Sequence, residues 1–197
     1  MKDNFMAWEK AFAPYHVKLN SLDYYLLEGM GRFQVARFFI EKYRLNPAIE
    51  ESVVEAKESI YIKENKFRLY PEIQPIFRLL EQKKIAIGLV TGASKERVER
   101  TLSPSFLKQV TALVTVDDVK KGKPDPEPYL QGVKKLNLMP AECLVIENAK
   151  LGVQSAKTAG CTCYAIETTL GENYLKEADE IFVNHSALQN KLLSLFS

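Results

Sequence analysis

Apolar positions at helical spacing dominate the first third of the chain. Before Tyr70, apolar side chains recur every three or four residues, and no run alternates as a half-buried β-strand does. The spacing predicts three amphipathic helices, with stripes at Phe5, Trp8, Phe12 and Tyr15; at Phe33, Ala36, Arg37, Ile40 and Tyr43; and at Ile49, Val53, Ala56 and Ile60. Pro47 separates the last two, because proline interrupts a helix interior. Residues 1–69 are therefore predicted to form a helical domain.

The pattern changes after the segment LYPEIQ. Four short runs of aliphatic and β-branched residues follow, each ending in polar turn residues and most leading into a helical stretch: IAIGLV, TALVTV, CLVI and CYAI. Runs that are apolar at nearly every position are typical of strands covered on both faces. Residues 70–197 are therefore predicted to form an α/β domain with a Rossmann-like, mostly parallel sheet flanked by helices.

Polar residues follow the first two of these runs. Ligands of such sheets bind at the carboxyl ends of the strands. IAIGLV is followed by Thr91 and Gly92, a hydroxyl and a backbone amide that could hold a phosphate ahead of a helix, although Ser94 as a simple helix cap explains the same stretch. After TALVTV, Lys123 lies between a glycine and a proline in a turn that could direct its ammonium group inward, or it is an ordinary solvated lysine.

The third run ends in an acid and an amide. CLVI is followed by Glu147 and Asn148, whose side-chain oxygens suit a hard cation such as Mg²⁺. Asn148 could equally be the N-cap of the helix that begins near Ala149. The sequence leaves these two interpretations open.

Composition narrows the classes of protein. The 27 basic and 25 acidic residues give a formal net charge of +2, which provides no electrostatic reason to expect nucleic acid or a membrane surface as a partner. The three cysteines and the absence of a signal-like segment indicate reduced thiols and predict a cytoplasmic protein. No apolar run approaches the roughly 20 residues that span a bilayer.

Taken together, the three motifs resemble those of the haloacid dehalogenase superfamily. LVTGAS is similar to its second motif, GKPDPEPY to its third and VIENAKLGVQSAKTAG to its fourth, and the following CYAI and ADEIFVN match the last strands of its core. The resemblance implies that Thr91 and Gly92 bind the transferring phosphoryl group, that Lys123 stabilises its charge, and that Glu147 and Asn148 help to hold Mg²⁺. Asn148 stands where the commonest pattern of the family has an aspartate, which puts the strength of that metal site in doubt.

The N-terminal helices resemble the α-helical cap of the β-phosphoglucomutase and phosphoglycolate phosphatase-like branch. In EGMGRFQ, Gly29 and Arg32 are similar to a glycine and an arginine of the substrate-specificity loop of that branch. Arg32 could then bind an anionic part of the substrate; the alternative is a surface arginine at a helix start. The resemblance implies a Mg²⁺-dependent phosphatase or phosphomutase whose substrate is a small phosphorylated metabolite such as a sugar phosphate.

The first motif of the family, an Asp-x-Asp-Gly sequence after the first strand, has no counterpart in this sequence. MKDNFMAW resembles the segment that directly follows that motif, and Asp3 is interpreted as an acid in the first turn of a helix. The motif supplies the nucleophilic aspartate of the family. We therefore expect either a natural product that is longer at its N-terminus or a chain that comes from a shortened reading frame, and in both cases an impaired enzyme in the present form. A catalytically silent protein that binds a phosphorylated ligand or a protein partner is the alternative.

Overall fold

The computed structural model describes residues 1–196, and its first third is helical as predicted. The helices are α1 (Lys2–Phe12), α2 (Ser21–Leu26), α3 (Arg32–Lys42) and α4 (Glu50–Glu64), with short 3₁₀ turns at Ala13–Tyr15 and Pro47–Ile49. The two-turn helix α2 was not predicted; the Asn20 side chain caps it by accepting hydrogen bonds from the backbone amides of Leu22 and Asp23.

The four helices share one apolar core. Trp8 and Phe12 of α1 pack against Val35 and Phe39 of α3 and against Val53 of α4. The stripe predicted for α3 is wrong in two members, because Phe33 is 40% exposed and Arg37 pairs with Glu50 at the surface, whereas Val35 is buried. Phe12 and Phe39 meet edge to face with 5.8 Å between ring centroids, an arrangement that aromatic rings favour.

Strands and helices alternate in the remainder. The elements are α5 (Ile73–Gln82), β1 (Gly88–Val90), α6 (Lys95–Thr101), α7 (Pro104–Leu107), β2 (Ala112–Val114), α8 (Glu127–Leu136), β3 (Leu144–Glu147), α9 (Lys150–Thr158), β4 (Thr162–Ile166), α10 (Glu172–Leu175), β5 (Glu180–Phe182) and α11 (His185–Phe196). Further 3₁₀ turns lie at Val116–Asp118 and Pro140–Glu142.

All strand pairings are parallel, as predicted, but they form two separate groups. β1 pairs with β2, and β4 lies between β3 and β5. The strands are shorter than the apolar runs: only Gly88–Val90 of IAIGLV and Ala112–Val114 of TALVTV have strand geometry. Since β1 has a pairing partner on one edge only, Ile85–Ile87 have no second strand that would hold them extended.

A cavity of about 1110 Å³ separates the two groups of strands. Residues of β1 line one side, residues of β3 line the other, and the α1–α4 layer and α6 contribute polar side chains at the end where Thr91 and Glu147 lie. The unpaired edges of β1 and β3 therefore face the same space.

The apolar clusters follow the predicted division of the chain. One cluster draws on residues between Phe5 and Ile60, and two others draw on residues between Ile76 and Phe196. The boundary at residues 69 and 70 itself stays a prediction. Among residues 1–196, no helix combines the length and the apolar character that crossing a membrane requires.

Candidate active site

A buried charged group lies between the ends of β1 and β3. Lys123 is 6% exposed, and its Nζ donates to Glu147 Oε1 at 2.5 Å, to the Tyr129 hydroxyl at 3.0 Å and to the Val90 carbonyl at 3.4 Å. The Tyr129 hydroxyl donates to the same Glu147 oxygen at 2.5 Å. The turn thus points Lys123 inward, as the functional interpretation predicted, and the solvated interpretation is wrong.

Glu147 is held by donors on both oxygens. Its Oε2 accepts hydrogen bonds from the backbone amides of Asn148 and Ala149 at 3.0 and 3.2 Å. Its carboxyl group packs so closely on α9 that a Cβ built on Gly152 would lie 2.1 Å from the carboxyl carbon. Burial would raise the pKa of Glu147, but the charge of Lys123 and the hydrogen bonds outweigh burial, so the pKa lies below its usual value.

The buried surroundings of Glu147 have the opposite effect on the pKa of Tyr129. Burial, reinforced by the negative charge of Glu147, raises the pKa of Tyr129 well above its usual value. Tyr129 therefore remains a neutral hydrogen-bond donor to the carboxylate over the whole physiological range of pH.

Thr91 follows β1 directly and lines the same cavity as Lys123 and Glu147. Its Oγ1 accepts a hydrogen bond from the Ala93 amide at 3.1 Å, which leaves its hydroxyl hydrogen to be donated to another acceptor. Ser94 also fulfils its simpler predicted role, since it is the N-cap of α6 and accepts from the Arg97 amide.

Two glycines allow the helical layer to approach these residues. A Cβ built on Gly92 would lie 3.0 Å from the Gly29 carbonyl oxygen, and one built on Gly29 would lie 3.3 Å from Lys123 Cδ. Gly29 also has a φ of +103°, a conformation that side-chain-bearing residues rarely adopt. The EGMGRFQ segment therefore lies directly against Gly92 and Lys123.

Asn148 lies beside Glu147 but does not cap α9. Ala149 is the N-cap residue, without a side-chain hydrogen bond, and Asn148 Nδ2 instead donates to Thr168 Oγ1 at 2.9 Å and contacts Met1 Sδ at 2.8 Å. The capping interpretation of Asn148 is therefore wrong, and its side chain remains at the carboxyl end of β3.

The described residues do not form a complete cation site. Mg²⁺ usually binds several oxygen ligands in an octahedron. Within residues 1–196, no group of three or more His, Cys, Asp or Glu side chains is placed to hold a metal ion, and both oxygens of Glu147 already accept hydrogen bonds. Glu147 and Asn148 therefore do not complete a Mg²⁺ site by themselves.

A second charged cluster joins the helical layer to α6. Lys57 of α4 is 1% exposed; its Nζ donates to Glu58 Oε1 at 2.8 Å and lies over the rings of Trp8 and Tyr61. Arg97 of α6 donates to the same Glu58 oxygen at 3.3 Å. Burial, together with the charge of Arg97, lowers the pKa of Lys57 to about 8.

Three further polar residues of the helical layer line the cavity, namely Asn4, Glu28 and Arg32. Burial raises the pKa of Glu28 to about 7, and the charge of Glu147 acts in the same direction. Arg32 is the first residue of α3, with its guanidinium 5.6 Å from the Phe33 ring centroid. Arg32 is thus both at a helix start and at the cavity.

The sequence reasoning missed Lys57, Arg97, Glu28 and Tyr129. Only Lys57 had a usable signal, because it falls one turn after Val53 on an otherwise apolar stripe, where a charge is unexpected. Arg97 and Glu28 join the site through contacts between distant segments, which no local spacing reveals.

Comparisons of this sequence with known proteins identify one family and several phosphatases among its relatives. Residues 4–166 match the sequence model of the haloacid dehalogenase-like hydrolase family. The chain is 38% identical over 101 residues to the validoxylamine A 7'-phosphate phosphatase of Streptomyces hygroscopicus subsp. limoneus, covering 51% of this chain and 47% of that protein. It is 34% identical over 115 residues to a phosphorylated carbohydrates phosphatase of Thermotoga maritima, covering 56% and 51% respectively. The chain thus spans about half the length of these relatives.

Among solved structures, a candidate β-phosphoglucomutase from Bacteroides vulgatus superposes with a TM-score of 0.84 at 26% identity. The superposition covers 100% of this chain and 84% of that one. The α/β architecture with its N-terminal helices is therefore shared over the whole chain.

Proposed function

Because this chain belongs to the haloacid dehalogenase-like hydrolase family, we propose that its site is that of a phosphatase or phosphomutase acting on a small phosphorylated metabolite, with sugar phosphates as the substrate class. The names of relatives support this proposal, since two of them are phosphatases of a 7'-phosphate and of phosphorylated carbohydrates. The observation that carries it is the buried ammonium group of Lys123 in the cavity that Thr91 also lines.

In this proposal, Thr91, Gly92 and Lys123 bind the phosphoryl group. Phosphoryl transfer depends mainly on positioning and on neutralising the charge of the phosphoryl oxygens. Lys123 Nζ is fixed by Glu147 and Tyr129, so its charge is oriented before a substrate binds and requires little reorganisation. The Thr91 hydroxyl and the Gly92 amide would donate to the phosphoryl oxygens beside it.

Glu147 and Asn148 are proposed to contribute to a Mg²⁺ site that needs further oxygen ligands from outside residues 1–196. An amide oxygen in place of a carboxylate weakens the attraction for a dication. We expect Asn148→Asp to increase Mg²⁺ affinity in a version of the protein that carries the additional ligands, measured by calorimetry. Unchanged affinity would remove Asn148 from the proposed site.

We infer also that the chain as given is impaired in covalent catalysis. Among the described residues, three carboxylates line the cavity, namely Glu28, Glu142 and Glu147. Glu147 is engaged by Lys123, and Glu142 Oε2 accepts from the Met139 amide at 2.7 Å, while Asp3 accepts from the Lys66 amide. We therefore propose that none of these carboxylates serves as the nucleophile.

The cavity between β1 and β3 is the place where a further strand could supply a nucleophile. Both strands have an unpaired edge on that cavity, and a further strand between them would pair with both. Such a strand, carrying a carboxylate at its carboxyl end, would place that group next to Lys123 and Thr91.

Hydrolysis of 4-nitrophenyl phosphate in the presence of Mg²⁺ tests the proposal. The assay compares this chain with a version extended by whatever residues the gene encodes upstream of Met1. We expect background rates from the present chain, activity from the extended version, and loss of that activity in Thr91→Val and Lys123→Met variants. Equal activity of the two versions would contradict the inferred impairment.

A second candidate is a catalytically silent protein that binds a phosphorylated ligand or a protein partner. The engagement of both Glu147 oxygens within the protein favours it, because the carboxylate is satisfied without a metal ion. Background rates from both versions in the same assay, combined with measurable binding of a phosphorylated ligand, would support this candidate instead.

A further inference from the structure

One carboxylate closes the loop that carries Lys123. Glu127, the first residue of α8, accepts a hydrogen bond from the Lys120 amide on Oε1 and one from the Lys121 amide on Oε2, both at 2.9 Å. These amides lie seven and six residues earlier in the chain. Glu127 therefore joins the two ends of a loop, and Lys123 lies between them.

An ordinary helix cap does not account for these contacts. An acidic residue at the start of a helix usually stabilises that helix, by accepting from its free amides or by interacting with its dipole. Both oxygens of Glu127 instead accept amides that lie outside α8, and the Glu127 amide donates to Asp125 Oδ1 at 3.0 Å. The carboxylate is therefore committed to the loop.

The closed loop is also attached to α9. Ser155 of α9 is fully buried, and its hydroxyl group donates its single hydrogen to the Asp125 carbonyl at 2.6 Å. The carboxyl group of Glu147 packs against Gly152 of the same helix. Because the loop of Lys123 and the carboxyl group of Glu147 are both held against α9, their relative position depends on the conformation of the loop.

The loop also determines where the Lys123 ammonium group points. Its hydrogens are directed at the Glu147 carboxylate, at the Tyr129 hydroxyl and, over the longest distance of 3.4 Å, at the Val90 carbonyl. Val90 directly precedes Thr91, so the third hydrogen is the one that a phosphoryl oxygen beside Thr91 could accept in place of that carbonyl. A lysine stem is flexible and keeps one direction only while its backbone is held.

We propose that Glu127 is a positioning residue, which aims the Lys123 ammonium group at the phosphoryl site beside Thr91 by closing the loop. Glu127 acts through Lys123 and needs no contact with the substrate. The assignment rests on the proposed function, because it places a phosphoryl group at Thr91. The orientation of the Lys123 ammonium group, however, can be measured without a ligand.

Nuclear magnetic resonance of the full chain, labelled on its lysine ammonium groups, tests that orientation. Hydrogens of a buried, hydrogen-bonded ammonium group exchange slowly with water, which makes its signal observable. Among residues 1–196, the buried lysines are Lys57 and Lys123, so Lys57→Met identifies the Lys123 signal by removing the other one. We expect Glu127→Ala to shift or broaden the Lys123 signal. Glu127→Gln, which can accept only one of the two amides, should change it less, and Glu127→Asp, which keeps a carboxylate, least.

Calorimetric titration of the same proteins with inorganic phosphate measures the consequence for binding. Glu127→Ala should bind phosphate about tenfold more weakly than the wild type, because the lysine and its loop must then become ordered on binding. Glu127→Asp should keep most of the affinity. Asp179→Ala is the matched control, since Asp179 Oδ2 also accepts a backbone amide, that of Cys163 at 2.7 Å near the amino end of β4. This control should leave the Lys123 signal and the phosphate affinity unchanged.

The outcomes separate this assignment from the proposed function. An unchanged Lys123 signal or an unchanged phosphate affinity in Glu127→Ala would overturn the assignment, and so would equal effects of Asp179→Ala. If Glu127→Ala does not fold, the same criteria apply to Glu127→Gln. A wild-type chain that binds no phosphate would contradict the phosphate site of the proposed function, and the Lys123 signal alone would then decide the role of Glu127. Absence of a slowly exchanging Lys123 signal from the wild type would also overturn the assignment.

Discussion

Single side chains set the charge balance of the candidate site. Lys123 and Glu147 are both nearly inaccessible and lie 2.5 Å apart, and Tyr129 donates to the same carboxylate. Burying such a pair contributes little net stability, but removal of one member leaves the other charge uncompensated in a low-dielectric environment. Removal of either Lys123 or Glu147 alone is therefore expected to destabilise the folded protein.

Lys123→Met is expected to lower the free energy of unfolding by about 3 to 5 kcal/mol, because Glu147 would remain buried without its counter-charge. The double variant Lys123→Met with Glu147→Gln should regain most of this loss. Urea denaturation measures both. Lys121→Met is the matched control, since Lys121 is 75% exposed and pairs with Asp125 at the surface; its effect should stay within about 0.5 kcal/mol.

Gly152 gives a second test of the position of Glu147. Alanine is the better helix former by about 1 kcal/mol, so Gly152→Ala in α9 would stabilise an unconstrained helix. Here the added Cβ would collide with the Glu147 carboxyl group, and we expect a net loss of about 1 to 3 kcal/mol in the free energy of unfolding. Gly171→Ala is the control, because nothing lies within 4 Å of its added Cβ; if both changes proved neutral, the Glu147 geometry would be wrong.

The sequence predicted some of these residues and missed others for a physical reason. Thr91, Lys123 and Glu147 were found because each follows an apolar run, and parallel strands bring their carboxyl ends together. Glu28 and Arg97 come to the cavity through contacts between segments far apart in the chain, and nothing in their own neighbourhoods marks them.

At the scale of elements, one buried ion cluster links helices α4 and α6. Glu58 of α4 accepts hydrogen bonds from Lys57 and from Arg97 of α6. The cluster connects the helical layer to the strand-bearing part of the chain. The contribution of this cluster to the free energy of unfolding depends on pH, because burial lowers the pKa of Lys57.

Lys57 should make stability rise with pH in an alkaline window. Its folded pKa of about 8 lies below the unfolded value near 10.5, so the unfolded chain binds more protons between these two values. The burial cost of about 3 kcal/mol is fully present below pH 8 and is relieved as pH approaches 10.5. Thermal denaturation of the wild-type and Lys57→Met proteins from pH 7 to 10 measures the difference.

The comparison with the Lys57→Met variant is needed because other buried groups make stability decrease as pH rises. Burial raises the pKa of the Cys161 thiol to about 11 and of the Cys163 thiol to about 12. Above pH 9 the unfolded chain therefore releases thiol protons that the folded chain keeps, and the stability of the fold decreases as pH rises. The two thiols contribute equally to the wild-type and Lys57→Met proteins, so their effect cancels in the difference. A wild-type-minus-variant stability that does not change between pH 8 and 10 would contradict the burial of a charged Lys57.

The strands show where sequence patterns stop being informative. IAIGLV has the composition of a six-residue buried strand, yet only Gly88–Val90 pairs with β2. Apolar composition is equally compatible with lining a cavity, and Ile85 to Ile87 do that. The number of neighbours that a strand has is a property of the sheet and cannot be read from the strand itself.

At the scale of the whole molecule, the two groups of strands should differ in local stability. β4 is paired on both edges, whereas β1 is paired on one edge and borders the cavity on the other. We expect backbone amides of β4 to exchange with solvent deuterium at least about tenfold more slowly than those of β1, because opening β1 disrupts fewer contacts. Hydrogen exchange followed by mass spectrometry measures this, and equal protection of the two segments would contradict the open edge.

The two unpaired edges also bear on aggregation. An accessible strand edge is a template for pairing with another chain, and such pairing is a common route to aggregation. Here β1 and β3 border a shared cavity and are not fully covered, since Gly88 of β1 is exposed and Ile146 of β3 is 41% exposed. Both edges are therefore accessible templates, and we expect a strand added between them to remove both at once and to lower the self-association of the protein.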